Sequence, residues 1–321
     1  MSEYLAYGGQ AVIEGVMMRS PRFYAVACRK PDGSVVMLEE AVGHSLLGRL
    51  QWLNKPFLRG TLALVDALTL GLKALAYAAN VQAVAEAEQN KTERDQGDKR
   101  SAKAALTEAA IGTTLVLSLA IGVGLFVILP TLLTQLAQGS LGLTSAVGRN
   151  GLDGLIRILI FVTYIILISF MHNVRRVFQY HGAEHKAINT YETGGELTLE
   201  NALTASRIHP RCGTSFIVVV LLATILVHSL FPRPENALMR IGLHLALLPL
   251  VAGASYELIR WAGRCRRSLV LRILLAPGLW SQILTTREPT PDQVEVALAA
   301  LNNVVAREQE YGSQASVSDF A

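Results

Sequence analysis

The middle of this chain holds long stretches almost free of charge, and no other feature limits its fold as much. Four of them, Ile111–Leu133, Leu155–Met171, Ser215–Phe231 and Ile241–Tyr256, approach the roughly 20 apolar residues that a helix needs to cross a hydrocarbon core. In that solvent a segment must satisfy its own backbone groups, so each is expected to be helical. The last two are shorter, which leaves open a hairpin that dips into the membrane without crossing it. Pro130 should kink or end the first. Hydrophobic residues make up 51% of the chain and charged ones only 17%, yet 1–100 and 285–321 carry ordinary charge. The expected fold is therefore mainly α: a polytopic helical membrane protein with about four spanning helices, interfacial helices and a small cytoplasmic β element.

Orientation follows from the basic residues, which concentrate on the cytoplasmic side of a membrane. Lys91, Arg94, Lys99, Arg100 and Lys103 precede the first span, whereas 134–153 has only Arg149. The next loop carries Arg175, Arg176, Lys186, Arg207 and Arg211, the turn after Phe231 has Arg233, and Arg260, Arg264, Arg266 and Arg267 follow the last span. Both termini are thus expected in the cytoplasm, with the chain multi-pass in the inner membrane. The first ten residues contain Glu3 and two glycines instead of a basic flank and an apolar run, so no secretory signal is read there. With a net charge of +4 and its cations beside the apolar runs, the expected partner is the lipid bilayer and not nucleic acid; a homo-oligomer or a membrane-protein partner stays open. Three widely spaced cysteines, Cys28, Cys212 and Cys265, give no disulfide framework and read as reduced thiols.

Five segments follow. In 1–55, Phe23–Ala27 and Val35–Val42 flank Pro31-Asp32-Gly33, which is hairpin chemistry. Segment 56–110 reads as a sparsely charged helix over Pro56–Ala79, placed at the membrane interface, then a polar helix or linker over Val81–Lys103. The transmembrane bundle occupies 111–260 and includes a cytoplasmic loop, 172–214. In 261–311 an interrupted apolar segment, Leu269–Leu284, precedes a helix that Thr290, Pro291 and Gln293 can cap, with Val294, Leu298, Leu301 and Val305 as its docking stripe. The tail 312–321 is expected to be disordered.

Chemistry is concentrated in His181-Gly182-Ala183-Glu184-His185. On a helix the two imidazoles lie one turn apart on one face and can grip a single metal ion. Glu184 flanks that face as a possible general base, in the H-x-x-E-H order of inverted zinc peptidases. A catalytic zinc site needs a third protein ligand. His209 and Glu257 rank level for that role, Cys212 is of suitable type, and Glu192 would have to reach far. Three outcomes stay open: a wet interfacial histidine face, a closed structural site of His181, His185, His209 and Cys212, or a divalent metal, zinc by ligand type, with an open position. His228 and His244 fall inside spans, where polar groups turn inward and are more often hydrogen-bonded to each other or to backbone than part of an ion path.

The string Gly8–Pro21, rich in glycine around Glu14, fits neither a dinucleotide nor a phosphate-loop fingerprint and by itself suggests a tight β turn. Together with Tyr180–Lys186, His209–Phe216 and Thr285–Pro289, it resembles the YqhQ-like family of bacterial membrane proteins, along nearly the whole chain and in the same motif order. The resemblance implies a multi-span protein grouped with predicted metal-dependent enzymes, without a substrate. Two functions remain in competition: metal-assisted hydrolysis with Glu184 as base and His209 or Glu257 completing the site, and a non-enzymatic conduit or scaffold whose histidine cluster is structural or regulatory.

Overall fold

A computed structural model of the protein describes residues 7–42, 55, 58–93, 108–142, 145–231, 234, 236–264 and 269–318. Cys265, the basic residues Arg94, Lys99, Arg100, Lys103, Arg233, Arg266 and Arg267, and the linker 94–107 lie outside that set.

The described chain is mainly helical with one small sheet. Strands β1 (Gly8–Val12), β2 (Gly15–Arg19), β3 (Phe23–Arg29) and β4 (Val35–Ala41) form an antiparallel meander in sequence order. The expected hairpin is β3–β4, in register from Phe23↔Ala41 to Arg29↔Val35. A second hairpin precedes it, closed by Ile13 and Glu14 between Val12 and Gly15. Glu14 takes the left-handed region at φ 50°, an uncommon state for a residue with a Cβ. Its carboxylate is held by the Arg176 guanidinium in a short ion pair and by the Tyr180 hydroxyl at 3.3 Å.

Because strand side chains alternate between faces, the sheet buries both. Val16, Met18, Ala25 and Ala27 pack with helices α5 (His172–Glu192) and α10 (Pro291–Ser318) through Tyr180, Ala183, Ala187, Val294 and Leu301. Met17, Tyr24, Val26 and Cys28 pack on Leu70, Ala74 and Ala78 of α1 (Leu58–Glu93). The docking stripe of α10 is buried as expected, with Val294, Leu298, Leu301 and Val305 all inside. That helix continues past Gly312 to Ser318, beyond the expected start of a disordered tail. Tyr311 stacks edge-on against Phe23 and lies under the Arg22 guanidinium, which ties this end to the sheet.

Among the described residues, four helices are long and apolar enough to cross a membrane: Arg59–Glu88, Val116–Gln138, Gly148–Ser169 and Leu238–Ile259. The set differs from the sequence expectation at two points. Segment 56–79, read as interfacial, belongs to the 36-residue α1. Nothing breaks the helix between it and the Ala-rich stretch that follows, and Leu70, Ala74 and Ala78 direct part of its apolar character at the sheet. Conversely, Ser215–Phe231 gives α7 (Gly213–Ser229), which follows the short α6 (Leu199–Thr204) and has only 17 residues. Helices α4 (Ala146–Ser169), α8 (Ala237–Arg264) and α9 (Leu269–Thr285) complete the bundle around α7.

Pro130 neither ends nor replaces its helix. Helix α2 (Glu108–Val123) passes through a π turn, Gly124–Ile128, into α3 (Leu129–Ser140). Proline lacks the N–H that would bond four residues back, and the Phe126 carbonyl is taken instead by Arg157 Nη1 at 2.6 Å. Arg157 also binds Asp153 at 2.8 Å and His244 Nε2 at 2.9 Å. Since a guanidinium only donates, His244 Nε2 accepts, so its Nδ1–H donates to His228 Nε2. The His228 Nδ1–H then donates to the Thr224 carbonyl at 2.8 Å. The histidines of α7 and α8 are therefore neutral, with defined tautomers, and bonded to each other and to backbone.

Removing one partner of a buried ion pair costs roughly 3–5 kcal/mol because the other charge is stranded. Arg157→Leu should lower the thermal unfolding midpoint accordingly, and adding Asp153→Asn should recover part of the loss. An unchanged midpoint for the single variant would show that the network contributes no stability.

Candidate metal centre

Helix α5 delivers His181 and His185 to one face, as their spacing requires, with ring centroids 4.4 Å apart. Each Nδ1 faces a backbone carbonyl: His181 the Thr285 oxygen at 2.9 Å, and His185 the Arg207 oxygen at 2.6 Å. A carbonyl only accepts, so both rings carry their proton on Nδ1 and offer the Nε2 lone pair. A carbonyl bound to the Nδ1–H in this way orients and polarises histidine ligands of metals. The third member is Cys212, whose sulfur lies 3.1 Å from His181 Nε2. Cys212 caps the N-terminus of α7, and its sulfur accepts from the Thr214 N–H at 3.4 Å.

Ligand atoms of His181, His185 and Cys212 all lie within 4.8 Å of one another. Ligands around a tetrahedral ion stand roughly 3.3–3.8 Å apart at the usual 2.0–2.3 Å bond lengths, so the group needs only a small contraction. His185 Nε2 supplies the decisive test of fit. It is buried and has no hydrogen-bond partner among the described residues, a state that costs about 1–3 kcal/mol unless something fills the valence. The Cys212 thiol meets the lone pair of His181 Nε2, so a cation taking up this position would release a proton.

The other sequence candidates are placed differently. His209 is beside the site, its ring centroid 5.7 Å from that of His185. Its Nδ1 receives the Arg211 N–H at 3.3 Å and its Nε2 faces Glu192 at 3.4 Å. Glu192 itself is bound by Arg211. Glu257 belongs to α8, where Arg59 binds both its oxygens, and it is not part of the group. Glu184 is fully buried, next to but outside the ligand set. Burial pushes its carboxyl up to about 7, against the opposing effects of the His181 imidazole and the Gly9 N–H.

Close packing explains the glycines of two motifs. A Cβ on Gly182 would lie 2.2 Å from the Arg287 carbonyl oxygen, and one on Gly9 would lie 2.8 Å from Glu184 Cγ. Chain segments distant in sequence thereby meet at α5. Gln282 ties in the loop before α7, accepting from the His209 N–H at 2.8 Å and donating to the His209 carbonyl at 2.7 Å and to Ser215 Oγ at 2.7 Å. Lys186 is buried and paired with Glu288 at 2.8 Å. Sequence reasoning missed these supports because carbonyls of Arg207 and Thr285 leave no trace in residue type. The one available signal was the co-occurrence of four motifs, which all border this junction.

Fold and site together define a helical protein with spanning-length helices and a His–His–Cys group beside a small sheet. A family model described as "Protein of unknown function (DUF1385)" matches residues 55–307, and the chain belongs to that family. A curated relative, "Uncharacterized protein YqhQ" of Bacillus subtilis (strain 168), is 35% identical over 304 residues, covering 94% of this chain and 93% of its own length. No solved structure matches.

Metal analysis of the purified protein should find one divalent ion per chain, lost in His185→Ala and in Cys212→Ala and kept in Glu257→Gln. Loss in Glu257→Gln alone would move the site to α8.

Proposed function

We propose that the protein is an integral membrane protein of the inner membrane, with both termini and the His181–His185–Cys212 centre in the cytoplasm, and that the centre holds a divalent metal, zinc by its donor set, for hydrolysis. The observation that carries the metal is the buried, unpartnered His185 Nε2 beside two further ligand atoms. With three protein ligands such an ion would keep room for water or substrate, as catalytic sites do and closed structural ones do not. A bound divalent ion would act there as a Lewis acid toward water and the scissile group.

The chain's own residues supply the remainder. Thr285 and Arg207 hold both imidazoles with their lone pairs inward. Glu184, buried between α5 and β1, takes a proton from the attacking water and returns it to the leaving group as the ester or amide bond breaks. A carboxyl poised near neutrality suits both transfers, and the Gly9 N–H steadies its charged form. The cytoplasmic placement is supported by the charge asymmetry of the loops. The satisfied state of His228 and His244 removes the feature that most favoured a conduit.

Glu184→Gln keeps the shape of the side chain and should retain the metal. It should lose roughly 10²–10⁴ in rate, the usual contribution of general-base catalysis, and so fail to complement a deletion strain. Complementation by a metal-loaded Glu184→Gln protein would exclude this chemistry and favour a structural site.

For topology, single cysteines introduced into 134–153 should react with an impermeant thiol reagent from outside intact cells, and cysteines in 193–207 only after lysis. Labelling of 193–207 from outside would put the centre on the other face.

A further inference from the structure

Most arginines whose side chains are described face a carboxylate: Arg22 with Glu308, Arg29 with Glu295, Arg59 with Glu257, Arg157 with Asp153, Arg176 with Glu14, Arg207 with Glu288, Arg211 with Glu192, and Arg307 with Glu39. Arg175 and Arg287 do not. Both line one cleft of about 430 Å³ whose other walls are Ile166, Ser169, Phe170 and Leu284, and no carboxylate of the described residues lies in it. Two like charges facing one cavity repel unless water or an anion stands between them.

The position of the cleft specifies the anion. Ile166–Ser169 end the spanning-length helix α4 and Phe170 caps it, Arg175 stands in the first turn of α5, and Leu284 lies in the last turn of α9. Large apolar side chains on these elements are exposed, with Phe170 at 80%, Trp280 at 67% and Leu167 at 63%. A second, nearly apolar groove of about 250 Å³ shares Leu284 with the cleft and runs between α4, α7 and α9, past Trp280 and Ile165 to Thr285. A basic mouth joined to an apolar groove at the end of a spanning helix complements an anionic headgroup with a chain attached. A free ion would leave the groove unused.

We propose that Arg175 and Arg287 seat the phosphate of an anionic membrane lipid, with an acyl chain along the groove between α4 and α9. Guanidinium groups bind phosphate oxygens through paired, charge-assisted hydrogen bonds, and the surface potential of an anionic leaflet concentrates such lipids at the boundary. Arg287 follows Thr285, whose carbonyl orients His181, and its own carbonyl packs on Gly182. The headgroup is thus bound by the segment that shapes the metal centre. Phosphate-bearing lipid is then the substrate class of the proposed hydrolase, an assignment that rests on that function; the binding itself does not.

The test uses the purified full chain in neutral detergent, with dioctanoylphosphatidylglycerol as the probe and calorimetry as the readout. Binding should be saturable, at least about ten-fold weaker in Arg175→Ala with Arg287→Ala, which removes every charge-assisted bond to the phosphate, and intermediate in the double lysine variant, which keeps charge and bulk. Inorganic phosphate in large excess should not compete, and dioctanoylglycerol, which has no phosphate, should bind far more weakly. His181→Ala with His185→Ala should keep the lipid affinity, so failure of the metal reading alone leaves the cleft standing. Wild-type affinity in both arginine variants, equal binding of dioctanoylglycerol, or displacement by inorganic phosphate would each overturn the proposal.

Discussion

The contact of the Arg287 carbonyl with Gly182 is the constraint on which the rest of the layer around α5 and the sheet depends. Only a residue without a Cβ allows it, and the Arg287 N–H fixes the same crossing by donating to the Phe178 carbonyl at 2.9 Å. Once that segment lies across α5, Thr285 is brought to His181, Gln282 to the loop that carries His209, and Glu288 to Lys186. On the opposite side of α5, β1 approaches Glu184 through Gly9 in the same fashion. The helix with the histidine pair is therefore clamped from two sides, and the geometry of the His181–His185–Cys212 group is a product of backbone packing more than of the side chains themselves.

Local pattern made part of this legible. The spacing of His181 and His185 fixed their common face, Pro31-Asp32-Gly33 marked the β3–β4 hairpin, and the stripe on α10 marked its buried side. Long-range choices were not legible in the same way. The third position turns on which of His209, Cys212 and Glu257 the fold brings near, and that depends on Cys212 capping α7 while Arg59 holds Glu257. The hairpin between β1 and β2 was visible only as a glycine-rich string, because its turn is held by Glu14 and Arg176, 162 residues apart. Segment 56–79 shows the ambiguity of composition most plainly. Alanine and leucine facing a sheet look the same in sequence as alanine and leucine facing lipid.

The two histidine pairs make an instructive contrast. His228 and His244 sit in the more costly environment, yet each nitrogen has a partner and the chain of donors ends at a backbone carbonyl and a guanidinium. His185 is more deeply buried than either, yet its Nε2 has no partner among the described residues. Burial and residue type do not separate structure from function here. The completeness of the hydrogen-bond account does, and it points to a ligand at the second pair and not at the first.

The sheet also sets an order of manufacture. Its strands come from residues 8–41, but the face made by Val16, Met18, Ala25 and Ala27 is covered by α10, and Arg22 pairs with Glu308, 286 residues further along. A ribosome releases the strands long before it releases their cover. Throughout that interval the nascent chain carries an open apolar sheet face, the kind of surface that chaperones bind and that aggregates when they do not. The centre on α5 can be closed over only at the end of synthesis, when every helix of the bundle has already been made.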